Sequence, residues 1–290
     1  MEGSMLTFSE LEVSPSEIDD LYDRGFAKNT KHLESGFYAF KSGNQSALVH
    51  CRGDYIDLIE SKGLTFQGVK PRDSKQTCMM FSMANYPLTV AMGAAGTGKT
   101  TLACAFALHS HFKKDNNIVL LKPTSFTTKM SNAIAPIPGD HREKMAGYID
   151  SYLFAMNNIL GENFEHYLFQ LEEEKKLVYQ PLELVRGMNF DKSTIIIDEA
   201  QNTTPHELLT VISRVAESSK IIVMGDLQQI DIGLEPEETG LGCLLDSDLF
   251  WDSPHCGAIE LDSQYRGPLA ELAGEILKDL YAQKEPIKMA

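Results

Sequence analysis

The sequence contains no uninterrupted apolar run of the roughly 18 residues that a membrane-spanning helix needs. Its start lacks the basic-then-apolar pattern of a secretory leader, so a cytoplasmic protein without a membrane partner is expected. Cysteine is scarce, five in 290 residues, at Cys51, Cys78, Cys104, Cys243 and Cys256. They form no C-x-x-C and no paired spacing, which excludes a disulfide scaffold and a zinc ribbon and leaves reduced thiols. His109 and His111 stand two apart in an apolar helical pattern, do not share a face, and make no metal pair. Positive charge is also short, 26 Lys and Arg against 41 Asp and Glu, for a net charge of −15. A protein that coats nucleic acid over its whole surface is thereby excluded. The charge is uneven, however. Residues 231–262 include no Lys or Arg, whereas Lys113, Lys114, Lys122, Lys129, Arg142 and Lys144 outnumber Asp115, Asp140 and Glu143 in mid-chain. If that middle region forms one face it offers a local basic track; the alternative is a solvated loop.

Hydrophobic residues make up 43% of the chain, ample for one large domain with a small appendage. One stretch organises the rest. Residues 88–92 read as a short buried strand, Gly93, Ala94, Ala95, Gly96, Thr97, Gly98, Lys99 and Thr100 match G-x-x-x-x-G-K-[ST], and residues 101–112 read as an apolar helix. Strand, glycine loop and helix start aim successive backbone N–H groups into one concavity, to which the helix N-terminus adds partial positive charge. The loop from Gly93 to Thr101 is therefore expected to hold a nucleotide. Lys99 would reach the β- and γ-phosphates, and the Thr100 hydroxyl would ligate Mg2+. An ordinary glycine-rich turn is the alternative, and the strand-loop-helix context argues against it.

Residues 1–70 carry no chemistry that can be named from their sequence. Residues 17–22 suggest a short helix, and residues 36–41 and 46–51 two strands about a turn at 42–44, giving a small core or a subunit contact. The stretch is too short and too poor in clustered carboxylates for a nuclease. Residues 73–85 look helical, with Met79, Met80 and Met83 inward and Gln76 near the start; an exposed amide there can read an adenine edge, or be a plain surface glutamine. Residues 118–122 form a second strand. Its polar exit, Thr124 to Thr128 with Phe126, lies where open α/β sheets bind ligands, and can contact a nucleic-acid backbone or simply cap a helix. Residues 131–190 are an insert long enough to need its own helices and a short strand.

A second motif closes the set. Residues 193–197 form a β-branched strand ending in Asp198 and Glu199, the Walker B arrangement, in which the aspartate completes a Mg2+ shell and the glutamate polarises a water for attack on the γ-phosphate. That glutamate favours hydrolysis over transfer to an organic acceptor. No Asn-Lys-x-Asp motif is present, so ATP is expected rather than GTP. Two further strands, 220–224 and 257–261, end near Gln229, a candidate γ-phosphate sensor, and near Tyr265 and Arg266, where a fixed guanidinium can meet phosphate.

These motifs, in this order, resemble the PhoH-like ATPases, which are similar to the first motor domain of superfamily-1 helicases. The resemblance covers residues 66–280 and rests on 68–76 (GVKPRDSKQ), the phosphate loop, 138–145 (PGDHREKM), Arg186-Gly187, 197–205 (IDEAQNTTP) and 225–231 (GDLQQID). It implies a RecA-like α/β domain over 66–290, with a mostly parallel sheet flanked by helices and residues 1–65 as appendage. It further implies ATP hydrolysis, a role on RNA or single-stranded nucleic acid, and ring assembly as a hexamer. Gln76 would sit at the adenine, Gln229 at the γ-phosphate and Arg266 at the helicase arginine position. The divergent N-terminus suits a phage-encoded or stand-alone member. The chain has strands for only one motor lobe, so a neighbouring copy would supply the second wall, with Arg142 or Arg186 as a finger in trans. A nucleotide switch that engages a protein partner through the acidic 231–262 stretch is the competing expectation.

Overall fold

The computed structural model describes residues 8–124, 141–185, 187–263, 265, 272 and 276, with the backbone alone for 141–148. Expectations that fall on Phe126, Lys129, Arg186 and Arg266, and on the side chains of Arg142 and Lys144, lie outside the described residues. In chain order the elements are β1 (Ser9–Glu12), α1 (Pro15–Arg24), β2 (Phe26–Lys28), β3 (Gly36–Ser42), β4 (Gln45–Arg52), β5 (Tyr55–Leu58), α2 (Ser74–Asn85), β6 (Leu88–Met92), α3 (Lys99–Lys114) and β7 (Asn117–Lys122). The insert supplies α4 (His141–Leu160), α5 (Phe164–Glu173) and β8 (Leu177–Pro181). Then follow β9 (Ser193–Ile197), α6 (Pro205–Ile212), β10 (Lys220–Gly225), α7 (Gly240–Leu245), α8 (Asp248–Trp251) and β11 (Cys256–Glu260).

The larger sheet has six strands in the order β11-β6-β10-β9-β7-β8, and every neighbouring pair is parallel. Parallel pairing requires crossovers, and the helices that provide them cover both faces. Alternation along each strand sorts the core. Ile196, Ile222 and Met224 join Met79, Met80 and Met83 of α2 and Leu102 and Phe106 of α3 on one face. Ile195, Ile197, Ile221 and Val223 meet Leu208 and Val211 of α6 and Leu241 of α7 on the other. The glycine-loop strand β6 is separated from the acidic strand β9 by β10 alone, so both motifs emerge at the carboxyl edge of the sheet, where ligands bind in this architecture. The expected α/β fold, a parallel sheet flanked by helices, is thus present, and β8 of the insert extends its edge beside β7. Among the described residues no helix is long and apolar enough to cross a membrane.

The smaller sheet, order β1-β3-β4-β5-β2, is antiparallel except for the β1–β3 pair. Helix α1 starts in a capping box between Ser14 and Glu17 with Pro15 in its first turn, and ends at Gly25 with φ 76°. Its Ile18 and Leu21 fill one face of the sheet against Phe40, Val49 and Ile56. The other face turns to the large domain, where Phe37, Ile59 and Phe66 enter the core cluster built on α2 and α3. His50 seals this junction. Its Nδ1 lies 2.6 Å from the Tyr86 hydroxyl, between the rings of Phe37 and Phe81. Burial, and then the Arg52 charge, push the His50 pKa down to about 3, while burial pushes Tyr86 up to about 12. The imidazole is therefore neutral, and it shares this hydrogen bond with the protonated tyrosine hydroxyl.

That depression makes stability depend on pH. Between the unfolded value near 6.5 and the folded value near 3, the unfolded chain binds a proton that the folded chain refuses, so stability falls as pH falls through this window. Taking pH 7 to pH 5 should cost about 2 kcal/mol through His50 alone. Denaturant unfolding of His50→Gln at the two pH values should lack that loss; an equal loss in both proteins would contradict the assignment.

Candidate nucleotide site

The glycine loop has two points where the backbone setting and a close neighbour favour glycine. Gly93 has φ 132°, and a Cβ on it would fall 2.0 Å from the Leu261 carbonyl oxygen. Gly98 has φ 92°, with the Gln76 amide nitrogen 2.9 Å from where its Cβ would be. Behind the loop, the buried Thr97 hydroxyl donates to the Ala94 carbonyl at 3.0 Å. Gly98 caps α3 without any side-chain hydrogen bond, so the first N–H groups of the helix are aimed at the loop's concavity. Gly93→Ala combines a clash with backbone and a left-handed φ, and should cost at least about 2 kcal/mol. Thermal unfolding and nucleotide titration should both report it; a variant that melts and binds like the parent would show that the loop adapts.

In front of the loop lies a cleft of about 710 Å³. Of the expected loop residues, Ala95, Gly96, Gly98, Lys99, Thr100 and Thr101 line it; Gly93, Ala94 and Thr97 do not, and act by shaping the loop. The Lys99 ammonium donates to the carbonyl oxygens of Gly93 and Ala94. Asp198 and Glu199 line the same cleft from the end of β9. Burial, and then the Glu199 carboxylate, raise the Asp198 pKa, against the charges of Lys122 and Lys99. A buried carboxylate in this state gains from a cation. The donor set, one carboxylate and the Thr100 hydroxyl, is of the hard-oxygen kind that Mg2+ takes together with phosphate oxygens and water. Among the described residues no cluster of three His, Cys, Asp or Glu side chains forms a metal cage, and a phosphate-borne Mg2+ needs none.

Three expectations are corrected. Gln76 is not an exposed amide: it is 3% exposed, its Oε1 accepts from the Arg72 N–H at 2.9 Å and its Nε2 donates to the Thr97 carbonyl at 2.9 Å. It lines the cleft, but its carboxamide fastens α2 to the glycine loop. Gln229 does not line the cleft; its Nε2 donates to Asp226 at 2.5 Å within a turn that Asp226 closes by accepting the Gln228 N–H at 2.9 Å. Thr124 directs its N–H and hydroxyl to Glu183 Oε1, both at 2.8 Å, leaving neither for a polymer. The described members of the basic track also separate: Lys122 lines the cleft, while Lys113 and Lys114 sit in the last turn of the 16-residue α3, at the opposite edge of the sheet.

Residues not singled out for this role complete the site. Lys122 lies at the carboxyl end of β7, a position its strand would have predicted. The Arg72 guanidinium sits over the Tyr265 ring at 4.9 Å, the Tyr265 hydroxyl donates to Asp73, and its backbone N–H donates to Gly96 at 3.1 Å. Asp73 meanwhile caps α2 through the Gln76 N–H at 2.7 Å. The insert reaches the cleft through Asp150, Ser151 and Phe154 of α4.

The chain is similar to several known proteins. The chain is 29% identical over 229 residues to a PhoH-like protein of Bacillus subtilis, covering 78% of this chain and 68% of that one. It is 31% identical to protein PhoH2 of the same organism, over 72% and 48% of the two chains, and 30% identical to protein PhoH of Escherichia coli, over 56% and 45%. It therefore spans less than half of the latter two relatives. Superposition on the Pif1 helicase of Candida albicans gives a TM-score of 0.36 at 11% identity, covering 76% of this chain and 49% of that one. Residues 68–270, the span that includes the glycine loop, the Asp198-Glu199 pair and Tyr265, match the family described as PhoH-like protein, and the chain belongs to that family.

Proposed function

We propose that this chain hydrolyses ATP with Mg2+ and couples the cycle to RNA or single-stranded DNA, as part of a homo-oligomeric, hexameric ring. The observation that carries the first part is the meeting of the glycine loop and the Asp198-Glu199 pair in one cleft. In this reading the loop N–H groups and Lys99 hold the phosphates. Thr100 and Asp198 would hold Mg2+, which supplies charge neutralisation on the β- and γ-phosphate oxygens. Glu199 orients and deprotonates the attacking water. The stacked Arg72 and Tyr265 offer a nucleobase a planar partner. The polymer and ring parts rest on the resemblance to superfamily-1 helicases and on the one parallel sheet among the described residues, beside which a neighbouring copy would supply a second wall of the cleft. Arg142, Arg186 and Arg266 are the candidate phosphate-facing arginines.

The competing reading, a nucleotide switch acting on a protein, is favoured by the acidic 231–262 stretch and the net charge of −15. ATPase rates with and without single-stranded RNA and DNA, at low and moderate salt, separate the two. Stimulation that weakens as salt rises is expected for a polymer-coupled enzyme, because phosphate contacts release counterions. A rate indifferent to both polymers would favour the switch.

A further inference from the structure

Gln201 is completely buried, yet its side chain belongs to neither hydrophobic cluster. Its carboxamide makes three hydrogen bonds. Nε2 donates to Glu199 Oε2 at 2.7 Å and to the Gln229 carbonyl at 3.0 Å, and Oε1 accepts from the Asp226 N–H at 3.1 Å. The neighbouring Asn202 grips the far end of the same loop, its Oδ1 accepting from the Asp231 N–H at 2.7 Å. Space for the Gln201 amide exists because residue 225 is a glycine: a Cβ there would stand 2.7 Å from Gln201 Oε1. Glu199 itself has φ 56°, a backbone setting that a non-glycine residue keeps only when its surroundings impose it.

We propose that Gln201 is a positioning residue that fixes the Glu199 carboxylate and couples it to the loop of residues 226–231 at the end of β10. The loop and the water-activating group then share one amide, so displacement of either displaces the other. A polymer or a neighbouring subunit that moved residues 226–231 would alter turnover without touching the nucleotide. The proposal rests on the reading of Glu199 as the water-activating group.

The test compares Gln201→Met with Gln201→Leu, apolar side chains of similar volume that can neither donate to Glu199 nor accept from the Asp226 N–H. For both, kcat should fall about 10- to 100-fold, as when a supporting hydrogen-bond partner is removed from a functional group. Affinity for a slowly hydrolysed ATP analogue should stay within about twofold, a split that general destabilisation would not give. Parent-like kcat in the folded variants, or a matching loss of kcat and affinity, would overturn the proposal. Coupling is reciprocal, so hydrogen exchange supplies a second readout that does not require a Gln201 variant to fold. Glu199→Ala should speed exchange of the Asp226 amide several-fold and leave the Ile222 amide unchanged; equal exchange at Asp226 in both proteins would also overturn it. Glu199→Gln tests the underlying reading separately. Its full activity would remove that reading, whereas an inactive Glu199→Gln beside fully active Gln201 variants would remove only the coupling.

Discussion

Glu199→Gln should bind ATP with unchanged affinity and lose about 10²- to 10⁴-fold in turnover, the usual contribution of a positioned general base. The substitution keeps the shape and the backbone setting of the residue, and it leaves Asp198 and Thr100 in place for Mg2+. What it removes is the oxygen that can accept a proton from water. Binding measured by titration and phosphate release measured in a single turnover separate the two effects. Hydrolysis at the parent rate would assign water activation to another group, and the acidic end of β9 would then be a metal site only.

Lys99→Ala should act on the other limb of the cycle. Its ammonium is held at the mouth of the loop by the Gly93 and Ala94 carbonyls, and it lines the cleft that Asp198 enters. Removing a charge that pairs with phosphate in a partly desolvated site costs about 2–5 kcal/mol, roughly 30- to 4,000-fold in affinity. Calorimetric titration with ATP reads the loss, and thermal unfolding shows whether the loop survives the change. Affinity within tenfold of the parent would mean that the backbone N–H groups carry the phosphates and that Lys99 contributes little.

Much of the architecture was legible because periodicity and punctuation are local signals. The strand expected at 193–197 is Ser193–Ile197, and that at 118–122 is Asn117–Lys122. A turn at 42–44 joins β3 to β4 as the Gly and Asn there suggest. The glycine loop and the Asp198-Glu199 pair were legible for a different reason: their chemistry fixes both residue type and spacing. Local signals do not say which way an amide points once the chain has folded. Gln76 looked like a surface residue because its partner Thr97 is 21 positions away, in the loop it supports. Gln229 looked like a phosphate sensor because it follows a strand end, but the turn made by Asp226 claims its side chain. Gln201 appeared only as a letter in a family string, since its partners on β10's exit lie 25 and 28 residues on. The His50–Tyr86 bond, between residues 36 apart, ties β4 of the small sheet to the end of α2, a pairing that no local signal marks.

ATP hydrolysis in the cleft between the glycine loop and the end of β9 is the central proposal. Steady-state phosphate release from ATP by the whole chain, with Mg2+ and with Mg2+ chelated, tests it most directly. The expected result is release that requires Mg2+ and is lost in Glu199→Gln. Tight ATP binding without release, in the presence of Mg2+ and of single-stranded RNA or DNA, would contradict it and leave a nucleotide-binding switch.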